Sequence, residues 1–139
     1  MFVTPFHLAI IAQQADIIEC MLNYILEFSE KPVEDTKAIL AKKTKVAFAK
    51  EATLYFKDDK TMDGINAFHL AGRFHAQSLL VMMRFLRDND LLEPVTPLLE
   101  DTDPHMGKTP LHMAMKCPSS LSATVFLLCG AEVDAVDKR

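Results

Sequence analysis

Glycine is scarce in this chain of 139 residues: Gly64, Gly72, Gly107 and Gly130 are the whole supply. No two lie close enough to cradle a phosphate or to form a nucleophile elbow. The P-loop, the dinucleotide fingerprint and the G-x-S-x-G hydrolase signature are therefore excluded together. Tryptophan is missing, and cysteine is limited to Cys20, Cys117 and Cys129. An odd number at irregular spacing suggests neither a disulfide framework nor a zinc knuckle. A reducing intracellular compartment, cytoplasmic or nuclear, is the natural reading. There is no basic excess either. The formal net charge of -4 gives no general case for direct nucleic-acid or membrane-surface binding. The longest apolar runs fall far short of a membrane span. Thr4, Pro5 and His7 interrupt the start with no basic segment before them, so no secretory signal is read there.

What the chain does have is an apolar half, at 50% hydrophobic residues, with 24% charged. That is the composition of an ordered domain, and the length suits one. It also has a phrase written three times: TPFHLA at 4–9, NAFHLA at 66–71 and TPLHMA at 109–114. Each copy opens a helix. Thr4 suits an N-cap and Pro5 a first helical position, where its missing N–H costs nothing. Phe6, Leu8, Ala9 and Ala12 make one face. After the polar Gln13-Gln14 turn, Ile17, Ile18, Met21 and Leu22 form the amphipathic stripe of a second helix. The middle copy has Asp63-Gly64 as its turn, Asn66 for threonine and Ala67 for proline, with a second helix carrying Leu79, Leu80, Met83 and Leu86. The third runs from Gly107 through Leu121, Val125, Phe126 and Leu128 to Gly130, a C-cap candidate.

The pattern G-x-T-P-L-H-x-A, a turn, a second helix with paired aliphatics, then L-L-x-x-G-A-x-V-D-A-x-D resembles the ankyrin repeat. Residues 107–137 match it closely, 4–22 well in the helix pair, and 63–88 loosely, with one or two extra residues expected in the turn between helices. The resemblance implies an all-α ankyrin-repeat solenoid, with helix-turn-helix units stacked behind short turn fingers and with two insertions. Repeat copies fall at about 1–30, 62–90 and 106–139 of a single domain. The phrase recurs after 62 and then 43 residues, where such repeats run about 33. The proline-bearing stretch at about 89–105 reads as a loop insertion. Residues 31–61 read either as an eroded helix pair filling a repeat slot, which we favour, or as a projecting insertion, with a helix over 34–48 carrying Ile39, Leu40, Val46 and Ala47. Neither end carries a polar cap, as expected of a slice of a longer array or of a small protein whose end faces take a partner.

Three histidines in matching contexts, His7, His69 and His112, raise the question of a metal. Ligation needs donor atoms about 2 Å from one ion, whereas equivalent positions in stacked repeats lie roughly 10 Å apart. They form a ladder and cannot converge. The reading is structural: each imidazole hydrogen-bonds backbone groups in the turns of its own or the adjacent repeat, as the ankyrin resemblance also implies. His75 and His105 read as surface loop residues. Cys117 and Cys129 have no acidic orienter or oxyanion pattern beside them. Lys42-Lys43-Thr44-Lys45 reads as a solvated helix face rather than an import signal or anion patch. Asp58-Asp59 and Glu100-Asp101-x-Asp103 read as solvated loops that lack the spacing of a calcium site. No cofactor, metal or small-molecule substrate is expected.

The candidates that remain are for interaction. Carried over position by position, the resemblance places Ile11 and Ala12, then Met62, Ile65, Arg73 and Phe74, then Met106, Lys108, Lys116 and Cys117 on a concave wall. Arg73 with Phe74 is the expected hot spot. The function expected is a non-enzymatic module that binds or masks a protein partner. The first repeat is similar to those of the inhibitors of NF-kappa-B, which implies a Rel-type transcription factor as that partner. The alternative is the regulatory ankyrin region of a larger enzyme or channel. Replacing the third ladder histidine, His112→Ala, is expected to cost roughly 1–3 kcal/mol of stability in chemical unfolding, as loss of a buried hydrogen-bonding group does.

Overall fold

The computed structural model describes residues 4–44, 64–104, 107–115 and 120–129. Eight α-helices lie among them: α1 Pro5–Ile11, α2 Ala15–Phe28, α3 Pro32–Ala41, α4 Ala67–Phe74, α5 Ala76–Asp88, α6 Leu92–Val95, α7 Pro110–Ala114 and α8 Leu121–Leu128. A 3-10 helix over Thr96–Glu100 continues α6. No strand occurs among the described residues. The three copies of the phrase open α1, α4 and α7, and these stack in one column. The helices that follow each of them, α2, α5 and α8, stack in a second column. The result is an all-α helical repeat.

One core runs between the columns. Phe6, Ile10, Ile18, Leu22, Phe68, Leu70, Leu79, Met82, Leu86 and Phe126 are fully buried. At roughly 1.5–3 kcal/mol for each large apolar side chain removed from water, this stripe is the main favourable term in the fold. The close approach of rungs two and three depends on Gly72, where an added Cβ would lie 2.6 Å from Phe126 Cε2 and 3.5 Å from Ala114 Cβ. The scarcity of glycine shows elsewhere. Gln13 at φ 61° and Asp90 at φ 58° take left-handed positions that glycine usually fills after α1 and α5.

The uneven spacing of the phrase has a structural answer that differs from the expectation. α1 packs directly on α4 and α2 on α5, so among the described residues no helix pair stands between copies one and two. Residues 32–41 form one helix, α3, which lies beside α2, α4 and α6. The helix expected over 34–48 ends at Ala41; Val46 and Ala47 lie outside the described residues. Within the stretch expected to be a loop at 89–105, residues 92–100 are helical and turn one side inward. Leu91, Val95 and Leu99 recur at a spacing of four and are buried, while Pro94 and Pro97 sit in first turns that tolerate them. The proline count pointed to loop; the apolar spacing was the stronger signal. Each of the first two helix pairs is thus followed by an added helix, and α3 against α6 begins a third column.

Two hydrogen-bonded frames precede α4 and α7. Asp103 N–H donates to the Lys108 carbonyl at 3.0 Å and Gly107 N–H to the Asp103 carbonyl at 3.1 Å. Thr44 and Gly64-Ile65 repeat that frame: Thr44 N–H donates to the Ile65 carbonyl at 2.9 Å and Gly64 N–H to the Thr44 carbonyl at 2.8 Å. Gly64 and Gly107 both turn left-handed, at φ 71° and 67°. Only residues 104–106 lie inside the one frame, but residues 45–63 lie inside the other. The inter-helix turn also differs from expectation. It is longer in copy one, residues 12–14, than in copy two, where His75 alone separates α4 from α5.

Gly72→Val is expected to cost about 1–3 kcal/mol in urea unfolding, since Phe126 is fully buried and cannot yield freely. Pairing it with Phe126→Leu should recover part of the loss. An unchanged unfolding midpoint for Gly72→Val would contradict the contact.

Candidate interaction surface

Each copy of the phrase closes a capping box with histidine at the third helical position. Thr4 Oγ1 accepts from His7 N–H at 3.1 Å, and His7 Nδ1 accepts from Thr4 N–H at 3.1 Å. Thr109 and His112 repeat this at 3.3 and 3.0 Å. Asn66 does the same work as threonine: its Oδ1 accepts from Phe68 N–H and His69 N–H, and His69 Nδ1 accepts from Asn66 N–H at 3.3 Å. Glutamate or glutamine usually fills the return position of such a box. Imidazole adds a second nitrogen on its far side. His69 Nε2 reaches the Lys108 carbonyl at 3.0 Å, one finger along, and His7 Nε2 reaches the Lys42 carbonyl at 3.0 Å, where the chain leaves α3.

A backbone N–H can only donate and a carbonyl can only accept, so at His7 Nδ1 is bare and Nε2 carries the proton. At His69 Nδ1 also lies 3.0 Å from Asn66 Oδ1, which favours the opposite tautomer. The Nε2-protonated ring satisfies both the Asn66 N–H and the Lys108 carbonyl, whereas the Nδ1-protonated ring satisfies only Oδ1, so the first is assigned. Burial favours that neutral form. It pushes His7 below the usual imidazole value and His69 down to about 4, against the smaller upward pull of the Lys108 carbonyl and the Asp101 and Asp103 carboxylates. Both nitrogens of His7 and His69 are thus committed to the backbone. The histidines are pegs, and no cluster of metal-binding side chains occurs among the described residues.

Several residues read as solvated are structural. Asp103 is buried, and its Oδ1 accepts from Lys108 N–H at 2.6 Å, ordering the finger. Asp101 pairs with Lys43 at 3.5 Å and accepts from Asn66 Nδ2 at 3.3 Å, while that amide also donates to the Leu98 carbonyl. The Asn66 substitution thereby ties the phrase to the added column. The sequence offered one overlooked signal, an aspartate four residues before a left-handed glycine in DPHMGK. Lys42, Lys43 and Thr44 form no helix face: α3 ends at Ala41, Lys42 offers its carbonyl to His7, and Thr44 is buried in the finger frame; Lys45 lies outside the described residues. His75 is the N-cap residue of α5, half-buried, with Nδ1 2.6 Å from Ser78 Oγ. Cys129 is half-buried, and burial raises its thiol pKa.

Of the expected contact residues, Ile65 and Lys108 are buried, at 0% and 3% exposed, because the finger frame folds them in. Both are removed from the surface set. Ile11 is half-buried against the core and Ala12 is exposed. Arg73 and Phe74 do come together at the end of α4. Phe74 leans on the core, and the Arg73 guanidinium lies 5.5 Å from its ring centroid. Gln13 Nε2 donates to the Phe74 carbonyl at 3.5 Å, so the turns of rungs one and two adjoin here. Met62, Met106, Lys116, Cys117, His105, Asp58 and Asp59 lie outside the described residues.

Acid should weaken the ladder with a definite sign. The unfolded imidazole titrates near 6.5 and His69 in the fold near 4, so between those values the unfolded chain binds the extra proton. The stabilisation is complete above about pH 6.5 and is lost as pH falls toward 4, with His69 alone accounting for roughly 3 kcal/mol. His69→Gln should be less stable at pH 7.5 and show a flatter stability slope across that window. Parallel slopes for the two proteins in urea titrations would contradict the assignment.

Comparison with protein families matches residues 106–138 to the ankyrin repeat. No curated protein and no solved structure matches the chain. The matched residues take in α7 and α8, the helix pair of the third rung.

Proposed function

We infer that the chain is a non-enzymatic protein-binding module whose partner seats along the α1–α4–α7 column and its fingers. The observation that carries this reading is the commitment of both imidazole nitrogens of His7 and His69 to backbone groups. The residues most suggestive of chemistry have no lone pair or proton left for a substrate. What they hold instead is a rigid row of helix starts, which suits recognition of an extended protein surface. The ankyrin repeat at 106–138 supports the same reading, since such repeats serve in general as protein-binding units.

Arg73 is the residue proposed to carry affinity. The residue is half-exposed in the last turn of the middle first helix, with its guanidinium 5.5 Å from the Phe74 ring centroid, and arginine and aromatics dominate binding energy at interfaces. A Rel-type transcription factor is the partner proposed, and it rests on the resemblance of the first repeat.

With partners identified by crosslinking and mass spectrometry from the native source, Arg73→Ala should weaken binding about tenfold or more, near 1.4 kcal/mol, with an unchanged melting temperature. Equal affinity for the variant would move the site off this column. A pull-down on immobilised Rel-homology domains with no signal above background would remove the Rel-type partner.

A further inference from the structure

Beyond the first-helix column, the outer face of the first rung is left open in a way that the second rung is not. Gly72 abuts Ala114 of α7 and Phe126 of α8, so that side of α4 faces rung three. Leu70, two residues earlier, lies about 200° round the helix and faces rung one. Leu70 is 0% exposed, whereas Leu8, at the same position of the first phrase, is 37% exposed. The second helices agree. Counted from their first residues, Tyr24 of α2 corresponds to Phe85 of α5. Phe85 lines the crevice against α2 and is 7% exposed; Tyr24 is 65% exposed.

The open face is an organised stripe. Ile17, Met21, Tyr24 and Phe28 follow one another at four, three and four residues, the spacing of one helix face. The stripe adjoins the buried face that carries Ile18 and Leu22: Met21 is half-buried against the core, while Ile17, Tyr24 and Phe28 are exposed. The Tyr24 and Phe28 rings pair at 4.9 Å between centroids, and both are largely exposed. A rigid aromatic pair in an uncovered apolar stripe is what an interface anchor looks like.

Charge selects the occupant. From Ala15 to Glu30 there is no lysine, arginine or histidine, while Asp16, Glu19, Glu27 and Glu30 are all exposed. Asp16 and Glu27 stand along one edge of the stripe. An anionic membrane is disfavoured, and so is a second copy placed α2 against α2, which would bring two acidic helices together. The other end of the stack, α8, carries no basic residue to complement the edge. We propose that the Ile17–Tyr24–Phe28 face of α2 docks an amphipathic helix of a partner protein, whose apolar stripe is flanked by lysine or arginine. The helix would take the place that a preceding rung occupies in the stack, with its basic flank on Asp16 and Glu27.

The test uses the full chain and a displayed library of helical peptides with a randomised apolar stripe and flanks fixed as either Lys/Arg or Glu. Basic-flanked peptides should be enriched on the wild-type chain. Their binding should fall about tenfold or more on Tyr24→Ser/Phe28→Ser, and also on Asp16→Asn/Glu27→Gln. Arg73→Ala should bind them unchanged, which separates this face from the first-helix column. All the substituted side chains are exposed or half-exposed, and each variant should melt cooperatively by circular dichroism, as the wild-type chain does, before binding is compared. Enrichment of acid-flanked peptides, equal binding by the α2 variants, or no enrichment at all would overturn the proposal. So would sedimentation showing a wild-type dimer that Tyr24→Ser/Phe28→Ser dissolves, because the face would then belong to a second copy.

Discussion

The neutral imidazole of His69 accepts a hydrogen bond from the Asn66 N–H and donates another to the Lys108 carbonyl. The first bond closes a helix start; the second holds the next finger against it. Because the finger at Lys108 leads directly into the cap at Thr109, one rung's cap is coupled to the next rung's position. Buried backbone groups left without partners would cost about 1–3 kcal/mol each, so the ladder carries a large share of the fold's specificity. It needs the imidazole uncharged, and burial supplies that condition.

The repeat is modified around this row of pegs without disturbing it. Added helices after α2 and α5 form a third column, and the Lys43–Asp101 ion pair and the Asn66 amide fasten that column to the phrase. Thr44 and Gly64 flank residues 45–63 in the chain, and their hydrogen bonds reproduce those of Asp103 and Gly107. Length can vary between the two sides of such a frame because the frame sets where the next helix begins. The apolar stripe of α2 is different in kind, since Ile17, Tyr24 and Phe28 are exposed and only Met21 leans on the core.

The ladder was legible in the sequence because its parts are local: threonine or asparagine, helix start and histidine lie within four residues. So was the pairing of first and second helices, which rests on apolar spacing. Non-local matters were not legible. Whether residues 31–61 filled a slot depended on α1 meeting α4, which no local pattern encodes. Prolines 94 and 97 suggested a loop because their first-turn positions could not be known before the helix was placed. Ile65 and Lys108 were expected at the surface because they flank a helix start; the finger's hydrogen bonds turn them inward. Asp103 was read as solvated for the same reason, as its partner is a backbone group across the finger.

The central claim is that neutral, Nε2-protonated imidazoles hold the rungs together. Two-bond nitrogen–proton correlation NMR on uniformly labelled protein at pH 7 reads the protonation state and tautomer of each ring directly. The account requires His7 and His69 to show a bare Nδ1 and a protonated Nε2, with His69 still neutral near pH 5. An Nδ1-protonated ring, or an imidazolium at His69 at that pH, would contradict it.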